Sequence, residues 1–294
     1  ILPEDDERYS AGESGAKSTT VRAYLREMGR HSLLKRTEEI ELSQQIEHGR
    51  QTMLKGIGLT QHGSQALSDV LNQVLQGDVS IDRVIFSGPD GSQKGEEDVS
   101  KQLKRARRAL NSLSKNGKKD TAAARQKKAE QASKILTDLR FDPNRLEDIS
   151  KQILNIRNGN GKTEKDLKKA QKAIREGWDE VELGRTRMVQ GNLRLVISVA
   201  RRYRSHGLDM SDLIQEGNLG LLKAVDRFDH RKGCKFSTYA VWWIRQTIRR
   251  AITAHVRPVR LPANVAELVT KMRNTSDQLR QDLQREPFDE EIAD

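Results

Sequence analysis

The sequence predicts an all-α fold, and three observations carry that prediction. Apolar residues recur at spacings of three and four along most of the chain, no segment alternates strongly enough to be a strand, and glycine- and proline-bearing turns separate the periodic stretches. The 294 residues are enough for one to three domains, but 35% hydrophobic, 32% charged and only 4% aromatic residues leave part of the chain as solvated helix or loop.

Residues 1–17 form a polar tail without a hydrophobic period and are expected to be disordered. From Thr19, the positions Val21, Tyr24, Leu25 and Met28 recur at helical spacing. A second helix is expected from about Thr37 to Gly49, with Thr37 as N-cap ahead of Glu38 and Glu39, so that 18–54 forms an opening helical pair. Residues 55–175 have another texture. Amphipathic helices at about 63–76, 97–115, 120–138 and 145–157, separated by SGPDGSQKGEE, NGKKD and NGNGK, mark a variable helical insertion with mobile loops. Its basic tract LKRARRALNSLSKNGKKDTAAARQKKAE is expected to be a charged, solvated helix pair, because it holds no aromatic residue and acids lie nearby.

From about Thr163 to Arg204 the pattern stays helical, with Leu183, Val189, Leu193, Leu195, Val196, Val199 and Ala200 as its apolar stripe. Helices follow at about 209–227, 236–254 and 263–284, punctuated by Gly207, Gly233 and Pro262. Residues 176–256 therefore form one helical segment and 257–294 the start of a further helical domain. The last residues, REPFDEEIAD, have the pattern of a helix just beginning, with Pro287 near its first turn, so the chain is expected to be a fragment.

Several function classes are excluded by what the sequence lacks. There is no run of about 18 apolar residues to cross a membrane. The polar, acidic N-terminus is no secretory signal, and Cys234 alone makes no disulfide framework, which together favour a cytoplasmic protein. GNGKT at 159–163 ends like a phosphate-binding loop, but Ile156 stands where its first glycine is required. The histidines at 31, 48, 62, 206, 230 and 255 show no metal-ligand spacing with each other or with Cys234, and no Gly-x-Ser-x-Gly elbow occurs. No enzyme, metal or cofactor is expected.

The positive charge is concentrated. Between Arg185 and Arg260 there are 16 basic and 5 acidic residues, an excess of 11 that equals the net charge of the whole chain. Tyr203, Phe228, Phe236, Tyr239, Trp242 and Trp243, half of the chain's aromatics, lie in the same stretch. Basic residues interleaved with rings suit a surface that neutralises phosphates and stacks bases; a basic helical core with internal aromatics is the other reading. In the helix beginning near Phe236, Tyr239, Trp242 and Gln246 follow at spacings of three and four and continue to Arg249 and Arg250. A stacking ring, an amide for a base edge and guanidinium groups are presented together. Trp242 and Trp243 are adjacent and diverge by about 100° on a helix, so at least one of them faces outward.

The run DLIQEGNLGLLKAVDRFDHRKGCKFSTYAVWWIRQTIRRAI, preceded by GNLRLVISVARRY and followed by RPVRLP, closely resembles the bacterial sigma factors of the primary, housekeeping type. The opening VRAYLREMGRHSLLKRTEEIELSQQIEHG resembles the segment those proteins carry before a variable insertion, and the resemblance covers roughly residues 19–52 and 185–294. It implies a transcription initiation factor that binds core RNA polymerase, recognises the promoter minus-ten element on the non-template strand and nucleates melting by base flipping. Asp212, Gln215, Glu216 and Asn218 would face the coiled coil of the polymerase beta-prime subunit. Phe228, Asp229, Lys232, Phe236, Thr238 and Tyr239 would build the pocket for a flipped adenine, with Tyr239 and Trp242 stacking at the fork and Trp243 also among the base-binding residues. A second flipped base would sit near Asn192 and Leu195 under Leu25 and Arg26, while Gln246 and Arg249 would meet the paired upstream position. Asn264 and Glu267 would lie toward an extended element, and Arg201, Arg202, Arg245, Arg250, Arg257 and Arg260 on phosphates.

Three residues depart from the pattern of primary factors. Cys234 replaces an aromatic, Arg249 a small polar residue and Asn264 a histidine, which thins one wall of the adenine pocket, alters the upstream contact and weakens the case for the extended element. The insertion favours a primary factor over a stationary-phase one. The family's minus-thirty-five domain, active-site finger and autoinhibitory N-terminal region find no match in the chain. Two other functions fit the same surface: a single-strand-binding module without base preference, and a protein-interaction module whose aromatics are core.

Overall fold

The structure, a computed structural model, describes residues 22–26, 28–85, 96–116, 122–156, 162–204, 207–255 and 262–293. The expected tail at 1–17, the loops at 86–95, 117–121 and 157–161, and Arg257 and Arg260 lie outside the described residues. The fold is all-α. After helical residues at 22–26 and 28–29 come α1 (Arg36–Leu59), α2 (Gln61–Gln76), α3 (Glu96–Asn116), α4 (Ala122–Asp138), α5 (Pro143–Leu154), α6 (Lys162–Gln190), α7 (Leu193–Ala200), α8 (Met210–Arg227), α9 (Phe236–His255), α10 (Ala263–Leu283) and α11 (Asp289–Ala293). Among the described residues, extended pairing is limited to the isolated bridge between Ile85 and Phe141. No helix of the described residues is long and apolar enough to cross a membrane.

The chain divides into two compact units. The larger comprises 33–191 and 225–236, and α1 is its axis, packed against α4 and α6 while α3 packs on α2 and α4. Its core joins Met53 and Ile57 of α1, Leu67 and Leu71 of α2, Leu103 and Leu110 of α3, Leu136 of α4, Ile153 of α5 and Ile174 of α6. The basic tract at 103–130 thus forms a helix pair whose inner face is core: Leu103, Ala106, Leu110 and Ala129 are buried, whereas Lys104, Arg105, Arg108 and Lys127 are exposed.

Four details correct the sequence expectations. α1 does not stop at Gly49 but runs on to Leu59, because Gly49 is a packing position: a Cβ there would lie 2.6 Å from the carbonyl oxygen of Gly177 on α6. Its N-cap is Lys35 rather than Thr37; the Glu38 carboxylate accepts the Lys35 backbone N–H at 2.6 Å. α5 starts at Pro143, capped by Asp142, whose carboxylate accepts the N–H of Asn144 at 3.2 Å. Leu183 is 48% exposed, since α6 turns Leu167, Ala170, Ile174, Gly177, the half-buried Val181, Gly184 and Met188 inward, a row of alternating three- and four-residue steps that passes it by.

The smaller unit comprises residues up to Ser32, 192–224 and the chain from Ser237 onward. Val196, Ile197 and Ala200 of α7 and Leu213, Ile214 and Leu221 of α8 share its core with Ala240, Ile244 and Ile248 of α9. Glycine lets α8 approach both α9 and α7 closely. A Cβ on Gly220 would stand 2.8 Å from both the Ile244 Cα and the Trp243 carbonyl oxygen, and one on Gly217 2.6 Å from Val196. At the end of the chain, Arg285 is paired with Glu291, and the Phe288 N–H donates to the same carboxylate at 2.9 Å, which sets the start of α11. The hydrogen bond from Arg285 holds the exposed Glu291 carboxyl at about 2, below the usual carboxylate range.

Candidate nucleic-acid interface

In the smaller unit the surface is built on α9. Ala240, Ile244, Thr247, Ile248 and Ala251 are buried on one arc of the helix, so the opposite arc must face outward. Thr247 can sit among apolar neighbours because its hydroxyl donates to the carbonyls of its own helix at Trp243 and Ile244, both at 3.0 Å. Outward stand Thr238, Trp242, Gln246 and Arg249, all exposed, with Arg250 exposed and Arg245 half-buried beside them. Trp242 is 47% exposed and meets the half-buried Trp243 edge to face at 4.8 Å; Tyr239 meets Trp243 in the same way at 6.3 Å. Neighbouring tryptophans therefore divide as helical geometry requires. Trp243 with Tyr239 braces a ring that water can still reach.

The second surface of this unit is the outer face of α8. Asp212 and Gln215 are exposed, Glu216 and Asn218 half-buried. Sequence reasoning missed Leu219, which is 50% exposed, and the exposed Leu222; both lie on the row continuing from Asp212 and Gln215, and the spacing 212, 215, 219, 222 was the available signal. Asn218 is engaged within the unit, its Oδ1 accepting the Tyr24 hydroxyl at 3.0 Å. Burial raises the Tyr24 phenol above its ordinary value, against the opposing effect of that hydrogen bond. Leu25 and Asn192 are half-buried, as is Leu195, while Arg26, Arg201, Arg202 and Asn264 are exposed. Glu267 lies in α10.

The larger unit holds the segment 226–236. Phe236 has no exposed surface and Phe228 has 8%; their rings pack edge to face at 5.1 Å. The carboxylate of Asp229 caps the turn His230–Lys232 by accepting the Arg231 N–H at 3.1 Å, Gly233 closes that turn at φ +72°, and Lys232 and Cys234 are exposed. One row of α1 holds this segment throughout. Arg36 donates to the Gly233 carbonyl at 2.7 Å, Glu39 accepts the Phe236 N–H at 3.4 Å, Ser43 bonds His230 at 3.3 Å, Glu47 pairs with Arg231, and Arg50 donates to the Asp226 carboxylate at 2.9 Å. These five residues are three or four apart, so a single helix face serves as the template. Arg185 of α6 reaches the other Asp226 oxygen at 3.1 Å. Burial lowers the Arg50 guanidinium from its ordinary value, against the pull of Asp226, and burial raises Glu39.

Among the described residues no cluster of three or more His, Cys, Asp or Glu side chains could hold a metal ion. Residues 188–257 match the family model for sigma-70 region 2, and residues 20–52 match that for sigma-70 factor region 1.2. The chain is 52% identical over 125 residues to the RNA polymerase sigma factor SigA of Bacillus sp, covering 39% of this chain and 33% of that protein. It is 49% identical over 125 residues to the SigA of Lactococcus lactis subsp. lactis (strain IL1403), covering 42% and 32%. With the SigA of Synechocystis sp. (strain ATCC 27184 / PCC 6803 / Kazusa) it is 53% identical over 108 residues, covering 37% and 25%. The matched stretch thus spans a third or less of the length of each of these relatives.

Proposed function

We propose that this chain, whose residues 20–52 and 188–257 match sigma-70 regions 1.2 and 2 and are similar to SigA factors, acts in transcription initiation by binding core RNA polymerase and reading the promoter minus-ten element on the non-template strand. The observation that carries the reading is the outer face of α9, where Thr238, Trp242, Gln246 and Arg249 stand exposed in one row over a buried apolar back. Such a row offers a stacking ring, an amide and a guanidinium to a strand whose phosphates the surrounding arginines neutralise.

Stacking contributes about 1 to 3 kcal/mol per base, comparable to the few kcal/mol that extruding a base costs, so binding alone can nucleate melting. No catalytic step of the protein's own is required. In this reading Phe228, Asp229, Lys232 and Phe236 receive the flipped adenine, Tyr239 and Trp242 stack at the fork, Asn192, Leu195, Leu25 and Arg26 take a second base, and Arg201, Arg202, Arg245 and Arg250 the phosphates. Asp212, Gln215, Glu216 and Asn218 face the beta-prime coiled coil, with Leu219 and Leu222 adding apolar area to the same face. Residues 55–175 are the variable insertion, and the setting is the cytoplasm, on the nucleoid with RNA polymerase.

The test is fluorescence-anisotropy binding of the chain to a single strand bearing TATAAT, against the same strand with its second A replaced by C. A loss of about tenfold, equal to about 1.4 kcal/mol, is expected. Equal affinity would instead identify a single-strand-binding surface without base preference.

A further inference from the structure

Arg140 stands at the corner between α4 and α5, in the left-handed region at φ +60°, a conformation that costs a non-glycine residue backbone strain. The corner is fixed around it: the Phe141 N–H donates to the Leu136 carbonyl at 3.0 Å and the Asp142 N–H to the Val84 carbonyl at 2.8 Å. From there one guanidinium nitrogen of Arg140, Nη2, donates to the carbonyls of both Arg227 and Phe228, at 2.5 and 2.9 Å, and Nη1 lies 3.8 Å from the Asp229 carboxylate. These carbonyls end α8, where a helix leaves its acceptors open and its dipole favours a cation. The peptide bonds on both sides of Phe228 and the carboxylate that caps the next turn are thus held by one side chain.

We infer that Arg140, within the stretch that the sequence marks as a variable insertion, is a positioning residue for base recognition, fixing the backbone and carboxylate of the segment that carries Phe228 and Asp229; the inference rests on the minus-ten reading above. The insertion is then part of the recognition apparatus rather than an appendage. Phosphate attraction and stacking on α9 do not pass through Arg140, so affinity and selectivity separate when it is changed.

The 294-residue chain carrying Arg140→Ala is compared with the unaltered chain on the TATAAT strand and on the strand with its second A replaced by C. The expected result is a selectivity ratio lowered about fivefold, the scale of one or two lost hydrogen bonds, with binding to the C-bearing strand unchanged. Arg125→Ala, which removes an ion pair with Asp166 at 2.6 Å in the same unit, should leave the ratio intact while costing stability. An unchanged ratio in Arg140→Ala with native helical circular dichroism overturns the inference and leaves the minus-ten reading standing. Should Arg140→Ala unfold, Arg140→Met, which keeps the length of the side chain but donates no hydrogen bond, must lower the same ratio or the inference falls. Equal binding of both strands by the unaltered chain overturns both readings.

Discussion

Gly49 and Gly177 meet where α1 crosses α6, and there is no room for a methyl group on either: a Cβ on Gly49 would lie 2.6 Å from the Gly177 carbonyl oxygen, and one on Gly177 2.5 Å from that of Gly49. The obstructing atoms are backbone, which can yield only if the helices separate. Gly49→Ala should therefore destabilise the larger unit by about 1 to 3 kcal/mol through overpacking, outweighing the gain of about 1 kcal/mol in helix propensity. A lower urea midpoint would show it. Gly29→Ala, with nothing within 4 Å, should leave the midpoint unchanged or raise it.

Asp226 binds two guanidinium groups, Arg50 at 2.9 Å and Arg185 at 3.1 Å, with 19% to 23% of each side chain exposed. Asp226→Ala would leave both cations facing each other with their common acceptor gone. A loss of about 3 kcal/mol is expected, at the low end for a broken buried pair because part of the site remains wet. Chemical denaturation measures it, and a loss below that of a surface pair, under about 1 kcal/mol, would mean that water substitutes for the carboxylate.

Trp242 and Ile244 lie two residues apart on opposite arcs of α9. Trp242→Ala should weaken single-strand binding by about 1 to 3 kcal/mol and leave the thermal midpoint where it was. Ile244→Ala, at a fully buried position, should cost about 2 to 5 kcal/mol of stability. The two outcomes together separate an interface ring from a core side chain, and a Trp242→Ala variant that binds normally would count against α9 as the contact surface.

Glu39 carries a pH dependence. Burial raises its pKa in the folded chain, against the opposing effects of the Phe236 N–H and of Arg36 and Lys235. A carboxyl whose folded pKa lies above its unfolded one binds its proton more tightly when folded. Its contribution to stability is therefore present below the ordinary glutamate pKa and is lost as pH rises through the raised value. Urea midpoints of the unaltered chain and Glu39→Gln across that window should converge at its acid end, and the decline with rising pH should be weaker in the variant. Parallel profiles would exclude Glu39 as the source.

Helical periodicity made most elements legible. The predicted helices at 97–115, 209–227 and 236–254 fall within one residue of α3, α8 and α9, because their apolar faces repeat strongly and glycine or turn-forming residues bound them. The outer row of α9 was legible for the same reason, since spacings of three and four place Trp242 and Gln246 on one side before any partner is known. Gly49 was misplaced because a glycine that ends a helix and a glycine that admits a neighbouring helix are the same letter. Leu183 was placed in the wrong stripe because its hydrophobicity says nothing of which phase of α6 meets α1.

The sequence by itself determined the helical class, the segments that would be helix and the concentration of cations and rings between residues 185 and 260, all properties of composition and of repeats a few residues long. Only the tertiary structure decided that Asn218 bonds Tyr24, that a face of α1 from Arg36 to Arg50 holds the segment 226–236, and that Arg140 closes over the end of α8. Those pairings span 87 to 197 residues. Which partner each polar group finds over such distances is set by the packing of buried faces, an interaction that specifies area and shape and leaves no local period in the chain.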